Sequence, residues 1–300
     1  MTSSQQGPFL VTGASGHLGR RVVELALEAR ASPLIATTRH PEKLADLAAR
    51  GVEVRAADFT RPETLASAFA GARRALIVST DDLKPGLRFA SHKAAVDAAA
   101  GAGVGHIVYT SLTNPGAGSL ISFAGDHLAT EGALAASGIP HTILRNNLYT
   151  DLFLMTLPQA IASGSLFAAA GDGAVGYVTR EDCARAALAA LLTAEGSRTF
   201  DITGPGLVAQ TDIARLAAEL SGRPVAYVPL SSTDWEQALV HHRLPAEMAS
   251  LLVSIDEAIA RGTLAVASSA VADLTGRAPT SVRAFLEAYA GKLAPPSPAA

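Results

Sequence analysis

Three glycines, in the run Gly13-Ala14-Ser15-Gly16-His17-Leu18-Gly19, follow the apolar stretch Phe9-Leu10-Val11-Thr12 and open a helical pattern. Strand, glycine loop and helix in that order form an arrangement that can hold a pyrophosphate. Gly13 permits the sharp turn. Gly16 lets backbone amides approach the anion with no side chain between, and Gly19 lets the helix pack closely on the strand. Ser15, His17 and Leu18 complete the loop, where the first-turn N–H groups of the helix meet negative charge. About twenty residues further on, an NAD site usually carries an acid for the ribose hydroxyls. Here that segment reads Thr37-Thr38-Arg39-His40-Pro41 and has no acid. Arg39 can hold a 2′-phosphate through charge-assisted bonds, so the expected cofactor is NADP(H) rather than NAD(H). Asp58, followed by Phe59, comes after the third strand; its carboxylate suits either the adenine amine or a turn cap.

Strand ends of an open parallel sheet point into the ligand crevice. Ser79 and Thr80 follow the fourth strand, Thr110 and Ser111 the fifth, Asn146 and Asn147 the sixth. These neutral groups suit a nicotinamide and an uncharged carbonyl or quinone. His127 is a candidate proton donor or ribose ligand, because imidazole ordinarily titrates near neutrality. Glu131, four residues later, shares its helical face and either orients the imidazole or makes a surface pair. Tyr109 and Tyr149 are alternative donors or packing groups. The candidate catalytic set is thus His127, Tyr109 and Ser111. No metal site is expected: Cys183 is the only cysteine and reads as a small core residue, and His241-His242 lack the i, i+4 ligand spacing.

These groups need a scaffold. Short apolar strands at 9–12, 34–38, 52–56, 75–78, 106–109 and 141–144 alternate with helical patterns at 17–30, from Pro41 onward, after Arg61-Pro62-Glu63 with Thr60 as N-cap, and at 85–102. That order predicts an α/β fold: a Rossmann doubly wound parallel sheet with a smaller, mostly helical C-terminal substrate domain. The NADP(H)-binding domain is expected over 1–150 and the substrate-binding cap over 151–293, with a disordered tail at 294–300. In the cap, strands are predicted at 199–202 and 225–228 and helices at 211–220 and 233–242, with some segments able to return to the first sheet.

Composition sets outer bounds. Lys+Arg 24 against Asp+Glu 27 gives a net charge of -3, which excludes a general nucleic-acid footprint. No apolar run reaches the roughly 18 residues of a membrane span, and the polar start has no secretory pattern, so a cytoplasmic protein is expected. Hydrophobic residues are 49% but aromatic ones only 5%, so small side chains must fill much of the core.

The loop at 13–19, Arg39 with Pro41, Ala57-Asp58-Phe59, Val108-Tyr109-Thr110-Ser111, His127 with Glu131, and Ile143-Leu144-Arg145-Asn146 resemble the NmrA-like branch of the atypical short-chain dehydrogenases. Within that branch the likeness is to the NADPH:quinone oxidoreductase type 2 group. It runs from 9 to 293 and is strongest up to 149. The resemblance implies a Rossmann domain and a small C-terminal domain, with the nicotinamide in the cleft between them. It implies quinone or carbonyl reduction, or cofactor sensing without turnover. Better-known short-chain dehydrogenases use a Tyr-x-x-x-Lys pair. Registering this chain on Gly138-Ile139-Pro140 and Ile143-Leu144-Arg145 puts Phe123 at the Tyr position and His127 at the Lys position. Phe123 has no acid proton. Relatives often carry Lys directly after the Glu, where this chain has Gly132.

The expected function is NADPH-dependent hydride transfer to a quinone or a conjugated or aromatic carbonyl, without a Tyr-Lys pair. The alternatives are a redox sensor acting through a partner protein and a ketoreductase for a polycyclic natural product. Leu152, Phe153, Leu154, Met155 and Phe167 are the candidate lining of the pocket such a ketoreductase needs. The partner is a small molecule, with no nucleic acid or membrane, and the chain is expected as a monomer or homodimer.

Overall fold

A computed structural model describes residues 7–82, 84 and 86–293. The tail expected at 294–300 lies outside the described residues. The first half runs β1 (Phe9–Val11), α1 (His17–Glu28), β2 (Leu34–Thr38), α2 (Ala45–Ala48), β3 (Glu53–Ala56), α3 (Leu65–Phe69), β4 (Arg74–Ile77), α4 (Leu87–Gly101), β5 (His106–Leu112), α5 (Ala124–Ala136) and β6 (His141–Asn146). The second half runs α6 (Phe153–Ser163), β7 (Ser165–Ala168), β8 (Ala174–Val175), α7 (Arg180–Thr193), β9 (Arg198–Ile202), β10 (Val208–Ala209), α8 (Gln210–Ser221), β11 (Ala226–Pro229), α9 (Ser232–His241), α10 (Ala246–Ala260), α11 (Ala270–Thr275) and α12 (Val282–Ala288).

Seven strands make one parallel sheet in the order β3-β2-β1-β4-β5-β6-β9, a doubly wound Rossmann-like arrangement. The direction of winding reverses between β1 and β4, which leaves a crevice at their carboxyl ends. Two two-stranded sheets, β10-β8 and β11-β7, stand apart with helices α6, α8 and α10 around them. The second half does not stay apart from the first. β9 pairs with β6 from Thr142 opposite Arg198 to Asn146 opposite Ile202, and α7 covers one face of the sheet.

Two local expectations are corrected. Pro41 opens not a full helix but a 3-10 turn (Pro41–Leu44) followed by the one-turn α2. Thr60 is not an N-cap. Its N–H and hydroxyl both donate to Asp58 Oδ1, at 3.0 and 2.7 Å, and Arg61 takes the cap position of the next turn. An Asx turn has captured the residue, because a carboxylate two residues back is the nearer acceptor.

Alternation along the strands splits the core. Phe9, Val11, Leu34 and Ala36 face α1 and α7; Leu10, Ile35, Ala75 and Ile77 face α3, α4 and α5. On α7, Ala184, Ala186, Ala187 and Ala190 are fully buried, so small side chains let this helix lie close to α1 and the sheet. The glycine loop is also approached closely by backbone. A Cβ on Gly19 would lie 2.5 Å from the Gly13 carbonyl oxygen and 2.9 Å from that of Thr12, both rigid backbone.

The layer between α4, β5 and α5 is polar at its centre. Thr80 N–H donates to His92 Nε2 at 2.9 Å. In the neutral ring the proton is therefore on Nδ1, facing Thr130 Oγ1 at 3.0 Å and the Tyr109 hydroxyl at 3.1 Å. Thr130 itself donates to the Asp126 carbonyl at 2.7 Å. Tyr109 is then left to donate to His127 Nδ1 at 2.7 Å, which puts the His127 proton on Nε2. Burial, then Arg88, holds His92 down to about 3; burial, then His92 and Arg88, does the same to His127. Burial, then Arg74 and His141, lowers His106 to about 4.

Two outcomes follow from this architecture. In the unfolded chain these imidazoles titrate near 6.5, so between about pH 4 and 6.5 the unfolded state binds more protons than the native one. Stability is fully present above that window and falls as pH drops through it, by about 1.4 kcal/mol per pH unit for each imidazole. Asp256, raised by burial to about 6, opposes one of the three between about pH 4 and 6. Urea midpoints measured from pH 7 to 4.5 should therefore decline; a flat profile would contradict the buried neutral rings. Gly19→Ala should cost about 1–3 kcal/mol by overpacking. Gly132→Ala, in open space on α5, should be neutral or stabilising in the same denaturation assay.

Candidate cofactor site and catalytic cleft

The glycine loop is pinned by its own backbone. Ala14 N–H donates to the Thr37 carbonyl at 3.0 Å, and Gly16 N–H to the Gly13 carbonyl at 2.9 Å, with Gly13 at φ +61°. Gly16 is the N-cap of α1 in an extended conformation and supplies no side-chain cap. The first-turn amides of α1 are thus left for an external anion. Ser15, Gly16 and His17 are exposed along the loop, while Leu18 and Gly19 are buried beneath it. Thr38 donates to Ser15 Oγ at 2.8 Å, so the Ser15 hydroxyl proton remains for another acceptor. A side chain at Gly19 would strike backbone and misplace that cradle. The residues fit a dinucleotide pyrophosphate.

Arg39 stands exposed just past β2. Burial would raise the Asp58 carboxyl, but the Thr60 bonds, followed by the charges of Arg39 and Arg61, outweigh it and hold the group below its usual range. Asp58 is therefore ionised but committed to its turn through Oδ1. Phe59 is half-buried against the α3–α4 core.

At the strand ends, Thr110 Oγ1 accepts from Ser79 N–H at 2.9 Å and donates to Ser79 Oγ at 3.2 Å. Thr80 Oγ1 and Asn146 Oδ1, past β4 and at the end of β6, are buried without hydrogen-bond partners. Buried orphan groups of this kind cost about 1–3 kcal/mol unless a ligand or water satisfies them. They suit an amide-bearing ring such as nicotinamide. Asn147 is not free for such a role, since its side-chain amide donates to the Leu264 carbonyl at 3.0 Å.

The catalytic candidates Tyr109 and Ser111 lie on β5 and His127 on α5. His127 is brought beside Tyr109, as its helix position allows, but it is 3% exposed and held far below the near-neutral value expected of it. It is a neutral hydrogen-bond acceptor. Tyr109 is fully buried with its hydroxyl between two histidines, and burial pushes its pKa up. Tyr149 is likewise raised, mainly by burial, and carries Arg180 over its ring. Ser111 donates to Glu131 Oε1 at 2.7 Å. Glu131 does not orient His127; it takes two bonds from Arg145, at 3.0 and 2.6 Å. Sequence reading missed His92 and Arg88 altogether. Both occupy the buried stripe of α4, with Ser91, Ala95, Val96 and Ala99, and that spacing was the available signal. Arg88 donates to the Thr80 carbonyl and lies over the Phe123 ring at 4.5 Å.

Comparison with known proteins agrees with this geometry. Residues 13–194 match the NAD(P)H-binding family. The chain is 35% identical to quinone oxidoreductase 2 of Escherichia coli, over 91% of this chain and 95% of that protein. It is 29% identical to an NmrA-like family domain-containing oxidoreductase of Aspergillus flavus, over 92% of each. The crystal structure of NADPH-dependent quinone oxidoreductase from Escherichia coli complexed with NADPH superposes with a TM-score of 0.89 at 34% identity, covering 94% of this chain and 99% of that one. The Citrobacter triphenylmethane reductase complexed with NADP(H) gives 0.87 at 35% identity, with the same coverage. The chain thus belongs to the NAD(P)H-binding family and is similar to quinone oxidoreductase 2 and to an NmrA-like oxidoreductase.

Proposed function

We propose that this NADPH-dependent oxidoreductase passes hydride to a planar conjugated acceptor, foremost a quinone. The observation that carries the reading is the pairing of an intact phosphate cradle with Phe123, rather than an acid, at the proton-delivery position. When bound, the dihydronicotinamide supplies the hydride. The first-turn amides at 17–19 and the Ser15 hydroxyl hold the pyrophosphate, and Arg39 holds the 2′-phosphate. Thr80 and Asn146 orient the nicotinamide amide through their otherwise unpartnered oxygens. Ser79 and Thr110 fix the strand end beneath it. Asp58, with Phe59, borders the adenine side.

A saturated ketone would leave an alkoxide that needs a proton at once. A quinone leaves a delocalised phenolate, which tolerates the lack of a neighbouring acid. The relatives support a conjugated acceptor, since their names specify a quinone in one case and triphenylmethane in the other. Leu152 just before α6, Met155 on it and Phe167 on β7 are exposed and offer apolar surface for such a ring system, whereas Phe153 is buried against Tyr177. The substrate region comprises the two small sheets with α6, α8, α9, α10 and α12; α7 and β9 serve the cofactor half.

Consumption of NADPH, followed by its absorbance, should occur with menadione and be far slower with cyclohexanone, a saturated ketone. No consumption with any quinone would overturn the reading. Arg39→Ala should weaken NADPH binding roughly tenfold or more while NADH affinity is unchanged, read by fluorescence titration. With Phe123 in place of an acid and His127 neutral, kcat for menadione should be flat from about pH 7 to 9. His127→Gln should keep turnover within about threefold. A limb near pH 7 that vanishes in this variant would restore the imidazole as proton donor.

A further inference from the structure

Arg88 is the buried charge that the cofactor site does not use. It is 5% exposed, on the first turn of α4 beneath the segment leaving β4. One of its terminal nitrogens holds the Thr80 carbonyl, and its Nε is buried without a hydrogen-bond partner. Its guanidinium lies 4.5 Å from the centre of the Phe123 ring, the N-cap of α5. Asp81, Asp82 and Asp126 act on it only through space. Thr80 follows β4 at the crevice, and Phe123 is the residue that the sequence registers on the Tyr position of the better-known short-chain dehydrogenases. The cation thus lies between these two residues, and among the described residues no carboxylate forms an ion pair with it. A buried charge in this condition is costly to keep, and it raises the local potential much more than a solvated one would.

We infer that Arg88 is an electrostatic positioning residue that selects acceptors by the charge they develop, stabilising the anion formed from a quinone in place of protonating it. The inference rests on the hydride-transfer reading above. In a quinone, the C4–H bond of the dihydronicotinamide breaks, an O–H bond forms on one quinone oxygen, and the electron pair settles on the other. The nicotinamide leaves oxidised, and the hydroquinone monoanion takes its second proton from water after release. In a cationic triphenylmethane dye the hydride forms a C–H bond at the central carbon and discharges the cation. The product is neutral, and no negative charge develops. A fixed positive charge therefore lowers the barrier for the quinone and does nothing for the dye, or opposes it.

The test compares wild type, Arg88→Met and Arg88→Lys with menadione and crystal violet. Arg88→Met should lose about a hundredfold in kcat for menadione and change crystal violet turnover by less than about threefold, or increase it. Arg88→Lys, which keeps the charge, should recover most menadione turnover. Calorimetric binding of lawsone, a naphthoquinone that is anionic at neutral pH, to the NADP+-loaded protein should weaken about tenfold in Arg88→Met and little in Arg88→Lys. NADPH affinity and thermal midpoint monitor the Thr80 segment. Equal loss of both acceptors in Arg88→Met, or equal lawsone affinity in wild type and Arg88→Met, would overturn the assignment and leave Arg88 a brace for Thr80. Wild type inactive on both acceptors would instead overturn the hydride-transfer reading, and this inference with it.

Discussion

Thr80 has both of its main-chain polar groups held by α4: its N–H by His92 and its carbonyl by Arg88. Much else in the polar layer follows from that attachment. The amide can donate only to an unprotonated Nε2, so His92 must stay neutral. That choice fixes which way the Tyr109 hydroxyl turns and hence which nitrogen of His127 carries hydrogen. The same two bonds set the path of the chain as it leaves β4, on one wall of the crevice. A network that looks catalytic by residue type, two histidines and a tyrosine, is here a support. Both His92 nitrogens and the Tyr109 hydroxyl are engaged within it, whereas the Nε2–H of His127 has no partner there among the described residues.

How far the sequence could be read depended on whether a residue's task is local. The glycine loop was legible because its steric demand lies within seven residues, and the strands were legible because a buried parallel sheet writes continuous apolar runs. The task of His127 was not legible. Its helix position was recoverable, but its protonation depends on the burial and charge contributed by α4, over thirty residues away in the chain. Arg88 and His92 were hidden for a related reason. A polar residue in an apolar stripe looks like a flaw in the pattern until the opposite wall is known. Glu131 shares a helical face with His127, yet it pairs with Arg145, because β6 brings a guanidinium closer than the helix brings an imidazole.

The scarcity of aromatic residues and the abundance of alanine have a common structural meaning. The helices against the sheet are faced with small side chains, as on α7, so their backbones lie close and the strands are buried on both sides. Around α6 and the small sheets some large apolar groups are not taken into the core. Leu152, Met155 and Phe167 remain exposed there, and an acceptor rather than the fold would benefit from them.

The return of α7 and β9 to the large sheet bears on how such a protein can be cut or recombined. After β6 the chain leaves for α6, β7 and β8, comes back for α7 and β9, and departs again through β10, α8 and α10. It then lays α11 on α7 before finishing in the outer cluster at α12. A fragment ending near residue 150 would therefore be a broken sheet with β6 as a bare edge, not a cofactor module. For the same reason, a substrate region transplanted from a relative would have to be supplied as separate pieces threaded through the recipient. Acceptor range in this architecture is better altered by substitution at individual side chains than by exchange of domains.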